Sequence, residues 1–247
     1  MVIEFQKVSF SYRTRPVLKE ITFRLQGTER VAILGGSGEG KTTLLKLILG
    51  LLRPDSGRIL IDGDDIATMS EDELRKIRLK FSIVFQEGAL FDSLNVKENV
   101  AFCLREYARM SEEEVDAKVR SLLARVGMED ATDLMPEELS GGMQRRVAIM
   151  RSLAAFEPEM FLYDEPTSGL DPVNADIIYK LITELSEEGK GFVIVTHEVP
   201  AAARVARRFM LLVHGRLIFD GNKKELLSLP VPEIEHYVKE WAKCLEL

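Results

Sequence analysis

A chain of 247 residues is long enough for one domain with a sizeable core and a subdomain, and 46% hydrophobic with 30% charged residues is the composition of a soluble globular protein. The net charge of −7 argues against a general affinity for nucleic acid, and the two cysteines, Cys103 and Cys244, form no CxxC pair, against a disulfide scaffold or a cysteine zinc site. The start, MVIEFQKVSF, lacks the basic-then-apolar layout of a signal peptide, and no apolar run approaches the roughly 18 residues of a membrane span. A cytoplasmic chain in a reducing compartment is expected, with any membrane crossing left to a partner.

The first thirty residues alternate in strand fashion, through Ile3 and Phe5, then Val8, Phe10 and Tyr12, then Ile21, Phe23 and Leu25. A turn at Gln26–Glu29 precedes the apolar strand Val31–Leu34, which runs into GGSGEGKTT (Gly35 to Thr43) and an apolar helix to Leu52. A hairpin-like piece spans Gly57 to Gly63, a capping box at Ser70–Glu73 starts a helix, and Phe81–Phe85 reads as a buried strand. The stretch from about 95 to 155 carries helical periods and no convincing strand. In it, Ser111–Glu114 forms a second capping box, Val115, Val119, Leu122, Leu123 and Val126 share one face, and Gly127 is a stop.

Strands return at Met160–Tyr163 and Phe192–Thr196, with a helix between them that starts on the cap Asp171 and Pro172. Phe209–Val213 and Leu217–Phe219 flank His214–Gly215 as a hairpin. A last amphipathic helix, about 231–245, carries Ile234, Val238, Trp241 and Leu245. This order predicts an α/β fold: a mostly parallel sheet interrupted by a helical subdomain.

Gly35 to Thr42 match the phosphate-loop pattern between a strand and a helix. Its glycines let successive N–H groups turn toward phosphate oxygens, the helix N-terminus adds positive potential, Lys41 reaches the β- and γ-phosphates, and the Thr42 hydroxyl can ligate Mg²⁺. The strand Met160–Tyr163 ends in two carboxylates: Asp164 suits the Mg²⁺ shell, and Glu165 suits the polarising of an attacking water. Gln86 and His197 each follow a buried strand, where open α/β sheets place ligands. Gln86 offers a Mg²⁺ ligand or a water-orienting amide and His197 a donor to the γ-phosphate, yet taken alone both read first as polar caps of strand ends. The other histidines, His214 and His236, form no cluster with metal-ligand spacing.

A second anion-binding pattern lies at LSGGMQRR, Leu139 to Arg146. Ser140 is a candidate N-cap, the glycines Gly141 and Gly142 leave amides open to close approach, and Arg145 and Arg146 add positive potential or pair with surface acids.

With this stretch the chain resembles the ATP-binding-cassette (ABC) ATPases over nearly its whole length, with several motifs in the family's order. Gly35, Gly36, Ser37, Gly38, Glu39, Gly40, Lys41, Thr42 and Thr43 correspond to Walker A, Gln86 to the Q-loop, and Leu139 to Gln144 to the signature, with Met143 where glutamine is commoner. Phe161 to Glu165 correspond to Walker B with its catalytic glutamate, Ser168 to Asp171 to the D-loop, His197 to the switch histidine, and Tyr12 to the aromatic that stacks on adenine.

The resemblance implies a P-loop NTPase with a RecA-like, mostly parallel core (about 1–87 and 157–220), an N-terminal antiparallel β subdomain and a helical signature subdomain (about 88–156). These make an ATPase domain over 1–230, followed by a helical tail at 231–247. It also implies ATP and Mg²⁺, and catalytic roles for Glu165, His197, Lys41 and Gln86. The metal ligands would be Thr42, Gln86 and Asp164, and the nucleotide contacts Tyr12, the Walker A loop, Ser140, Gly141, Gly142, Gln144 and Asp171. In such proteins the signature of one subunit closes on ATP held by the other, which implies a homodimer or a pair with a similar subunit, driving transmembrane permease subunits from the inner face of the membrane.

The segment from Phe85 to Glu106 is similar to that of the ATPases of MCE-associated phospholipid transporters, the Mla and Mkl types, which adds an MCE-domain lipid-binding protein to the implied partners. Amino-acid or other small-molecule import is the alternative, and a soluble non-transport ABC protein a distant one. Leu90, Phe91, Leu94 and Val96 border the implied permease groove or simply pack in the core.

Overall fold

The computed structural model describes residues 1–86, 88–154 and 157–228; the amphipathic segment at 231–245 lies outside them. Strands β1 (Val2–Tyr12), β2 (Arg15–Gln26), β4 (Ser56–Ile61) and the two-residue β5 (Asp64–Asp65) form an antiparallel sheet in the order β2-β1-β4-β5. The piece read as a hairpin from Gly57 to Gly63 is mainly one strand paired with β1, turning at Asp62 and Gly63, both at positive φ, into the short β5.

A second sheet runs in the order β10-β9-β3-β8-β7-β6. Its strands are β3 (Arg30–Leu34), β6 (Phe81–Val84), β7 (Met160–Asp164), β8 (Gly191–Thr196), β9 (Arg208–Val213) and β10 (Arg216–Gly221). All of its pairings are parallel except β9 with β10, the hairpin about His214–Gly215.

The period of two along these strands divides the core in two. Ala32, Leu34, Phe161, Tyr163, Phe192, Ile194, Phe209 and Leu211 face one cluster, which they share with helices α3 (Val96–Tyr107), α4 (Glu112–Ala124), α5 (Gly141–Ala154), α6 (Pro172–Glu187) and α7 (Val199–Val205). Val31, Ile33, Met160, Leu162, Val193, Val195, Met210 and Leu212 face the other, which holds α1 (Lys41–Ile48), α2 (Glu71–Arg78) and the antiparallel sheet. Burial on both faces explains the near-continuous apolar runs of β3, β7 and β8. A short α8 (Lys223–Leu227) follows β10.

The helix starts follow their local sequence. Ser70 and Ser111 form the expected capping boxes with Glu73 and Glu114, and Asp171 caps α6 ahead of Pro172. A third box, Asn95 with Glu98, opens α3. Of the residues assigned either to a permease groove or to the core, Val96 is fully buried, whereas Phe91 is exposed, tilted against Phe102 with ring centroids 4.6 Å apart and beneath the Arg151 guanidinium.

Candidate active site

The parallel order sets the carboxyl ends of β3, β8 and β7 side by side, and the polar residues that follow them converge there. Beyond β3 the chain turns through Gly35–Gly40 into α1. Gly40 has φ +103°, and a Cβ there would lie 2.8 Å from Leu18 Cδ2, so both conformation and space demand glycine. Lys41 opens the helix, and its ammonium donates to the carbonyls of Gly35 (2.9 Å) and Gly36 (3.0 Å) and pairs with Glu165 Oε1 at 3.1 Å. The Thr42 hydroxyl donates to Asp164 Oδ1 at 3.0 Å.

Asp164 and Glu165 are adjacent but differently placed. Burial pushes the Asp164 carboxyl above the usual range, even though Thr42 bonds it and Lys41 lies near. Burial pushes Glu165 the same way, but the His197 hydrogen bond and the Lys41 charge outweigh it and hold the carboxyl low. Glu165 has φ +46°, and its Oε2 accepts from the Thr196 hydroxyl (3.0 Å), lies 3.0 Å from His197 Nδ1 and is 3.4 Å from the His197 backbone N. An ionised carboxylate only accepts, so the ring proton of His197 sits on Nδ1. A neutral His197 therefore turns an acceptor, Nε2, outward; donation to a phosphate needs the imidazolium or a turned ring.

A cavity of about 650 Å³ opens over the loop, lined by Ser37 to Thr43, Tyr12, Gln86 and Glu165. Tyr12 stands edge-on to Phe10, exposed at the end of β1. One wall comes from residues that nothing in the sequence nominates: Arg15, Val17 and Lys19 near the start of β2, and the β9–β10 turn at His214–Gly215. That turn is stitched to its surroundings, since Lys19 N–H donates to Gly215 O at 2.8 Å and Gly215 N–H to Glu39 at 3.3 Å.

The second glycine-rich stretch stands apart from this cavity. Ser140 Oγ accepts from Met143 N–H at 3.3 Å and so caps α5, while Gly141 and Gly142 fall in its first turn, whose N–H groups have no intrahelical acceptors. A Cβ on Gly142 would sit 2.5 Å from Asn174 Oδ1, which shows how closely α5 meets the start of α6. Asn174 is held by Asp171, which accepts from its amide side chain at 2.6 Å. Gln144 turns inward: its amide donates to Pro136 O at 2.7 Å, bracing the loop before α5. Arg146 donates to Val126 O rather than facing an anion, and Arg145 is buried, 3.4 Å from Phe85 O.

A sequence model of the family described as "ABC transporter" matches residues 18–168. The chain belongs to the ABC transporter family. This ABC ATPase is 38% identical to the intermembrane phospholipid transport system ATP-binding protein MlaF of Escherichia coli K12, covering 96% of this chain and 88% of that protein. It is 42% identical to the glutamine transport ATP-binding protein GlnQ of the same organism, over 93% and 95% of the two. A solved structure, the ATP-binding cassette MJ0796 captured as a post-hydrolysis dimer with ADP and Pi, superposes with a TM-score of 0.82 at 33% identity, covering 89% of this chain and 98% of that one.

The chain is thus the ATP-binding and ATP-hydrolysing subunit of an ABC transporter, on a P-loop NTPase fold. ABC ATPases dimerise and act with permease components. Among the described residues of this one, no helix is long and apolar enough to cross a membrane.

Proposed function

We propose that this ABC ATPase works as half of a dimer. Two ATP molecules would each be held between the Lys41 loop of one subunit and the α5 N-terminus of the other, driving a lipid-transporting permease. The observation that carries the dimer is the separation of the two anion-binding features. The loop of Lys41 opens into the cavity, while Ser140, Gly141 and Gly142 lie outside its lining, Gly141 beside Leu170 and Gly142 beside Asn174.

In this reading Tyr12 stacks on the adenine, and the loop amides with Lys41 hold the phosphates. Glu165 orients and deprotonates the attacking water, steadied by His197, and Gln86 reaches in from the end of β6. Asp171 serves through its cap on α6 and Gln144 through its brace on Pro136. The ATPase domain is 1–230, with its helical subdomain at about 88–156 and its core on either side.

Magnesium fits these residues. A hydroxyl beside a buried carboxylate that lacks full charge compensation is a hard-oxygen site, and a cation held mainly by phosphate and water needs few protein ligands. Bound there through Thr42, Asp164 and Gln86, Mg²⁺ would neutralise charge on the transferred phosphoryl group.

The lipid assignment rests on the Phe85–Glu106 segment together with similarity to MlaF over 96% of the chain. It brings with it a membrane-peripheral position on the cytoplasmic face, permease subunits and an MCE-domain lipid-binding protein. Amino-acid import is the second reading, favoured by 42% identity to GlnQ. The test is to purify the intact complex from membranes and identify its proteins and lipids by mass spectrometry. Permease subunits with an MCE-domain protein and phospholipid are expected; a permease with a periplasmic amino-acid receptor would overturn the lipid assignment.

A further inference from the structure

Glu198 occupies the cap position of α7, yet its side chain makes no capping bond. It reaches instead to Thr167, whose hydroxyl donates to Glu198 Oε2 at 2.7 Å. Thr167 is 1% exposed, at the start of the loop from Glu165 to α6. A threonine hydroxyl has one proton, here committed to a carboxylate that only accepts. The 3.1 Å contact between Thr167 Oγ1 and the Tyr179 hydroxyl therefore runs from Tyr179 to Thr167.

The chain of bonds continues through the backbone of the same glutamate. Glu198 N–H donates to Thr196 Oγ1 at 3.0 Å, and the Thr196 hydroxyl, fully buried, donates to Glu165 Oε2 at 3.0 Å. Proton by proton the donors line up, with Tyr179 giving to Thr167, Thr167 to the Glu198 side chain, the Glu198 amide to Thr196, and Thr196 to Glu165. Networks of this kind, in a dry interior, fix direction as well as distance. Direction matters at Glu165, whose backbone sits at φ +46° and whose carboxylate is aimed by its partners.

We infer that Thr167 and Glu198 are positioning residues for ATP hydrolysis: they clamp the Thr196–His197 strand end so that both the Thr196 hydroxyl and the His197 ring face Glu165. The inference rests on the reading of Glu165 as the base. Without the Thr167 hydroxyl, Glu198 loses its anchor, and the amide that orients Thr196 is no longer held. The fold would persist, but the strand end at 196–198 would loosen and the Glu165 carboxylate would sample orientations unable to polarise water.

The test compares kcat and KM for ATP, with thermal midpoints, in the full-length chain and in Thr167→Val, Thr167→Ser, Glu198→Ala and Glu165→Gln. Thr167→Val should lower kcat about tenfold, the rate equivalent of one lost hydrogen bond, at unchanged KM. Thr167→Ser, which keeps the hydroxyl, should restore it. Glu198→Ala, at a partly exposed site, should reproduce the loss without touching the core. If Glu165→Gln is inactive while Thr167→Val and Glu198→Ala turn over at the parental rate, the positioning role is overturned and the base survives. If the Ser variant is slow while the Val variant, which keeps the bulk, turns over at the parental rate, packing rather than the hydroxyl is responsible, and the inference also fails. Parental turnover in Glu165→Gln would remove the base reading itself.

Discussion

Lys41 Nζ lies 3.1 Å from Glu165 Oε1, and both side chains are buried. A cation suited to phosphate and a carboxylate suited to water thus hold each other's charge within one site. The same lysine also donates to two loop carbonyls, so it has partners to exchange when phosphate oxygens approach. Glu165 in turn has Thr196 and His197 as partners besides Lys41.

Glu165→Gln keeps the shape and the hydrogen-bond acceptor while removing the charge. Steady-state ATP turnover should fall by at least about a hundredfold, the usual worth of a general base. With ATP bound and hydrolysis stalled, the variant should accumulate as a dimer, read by light scattering after gel filtration. A strictly monomeric variant at saturating ATP would show that the two half-sites do not meet across subunits.

Asp164→Asn should stabilise the isolated chain at neutral pH. Because burial raises the folded pKa of Asp164, its contribution to stability is complete below the unfolded value and is lost as pH rises through the folded one. At neutral pH the buried charge is therefore a net cost to the chain on its own. The asparagine variant should melt about 2–4 °C higher than the parent at pH 7.5, and the gain should vanish below about pH 4. ATPase activity should be lost in the same variant. A lower midpoint at neutral pH would contradict the burial argument. Glu165 behaves oppositely: its depressed pKa stabilises above the ordinary carboxylate range, and that part is lost as pH falls through the folded value.

Gly141→Asp separates binding from closure. Gly141 is exposed and a Cβ there meets only the Leu170 side chain, at 3.3 Å, whereas any side chain on Gly142 would strike Asn174. ATP affinity of the isolated subunit should stay within about twofold, as for a surface change. Dimerisation by ATP and turnover should both be lost, since in the proposed composite site the added carboxylate would face the phosphates held by the other subunit. Equilibrium binding of a fluorescent ATP analogue, alongside gel filtration, decides the matter.

Tyr163→Phe tests the core beneath Walker B. The Tyr163 ring is packed between Phe161 and Phe192, and its buried hydroxyl has no partner among the described residues. Removing that oxygen relieves a desolvated polar group, so stability should hold or rise by about 1 kcal/mol. Denaturant unfolding measures it; a loss of similar size would mean that the hydroxyl is satisfied in solution.

Much of this was legible along the chain. A phosphate loop, a capping box or a proline after an aspartate is written within a few residues, because the hydrogen bonds involved are local; Gly35–Thr42, Ser70, Ser111 and Asp171 all fall where the sequence puts them. Strand assignments followed from apolar runs such as Val31–Leu34. Less legible were the wall of Arg15, Val17 and Lys19, which meets the distant β9–β10 turn through Gly215, and the inward turn of Gln144 to Pro136 O, which is close in sequence but follows no recurrent capping pattern.

The sequence by itself determined the chemistry: a loop for phosphate, acids at a strand tip, a second glycine-rich helix start. Only the tertiary structure decided who meets whom. The order β3-β8-β7 brings Lys41, Thr196 and His197 to Glu165, and Thr42 to Asp164, while Gly142 at the start of α5 lies outside the cavity and against Asn174 of α6. The reason is geometric. Side-chain hydrogen bonds reach about 3 Å, and only the parallel register of buried strands brings residues so distant in sequence within that reach.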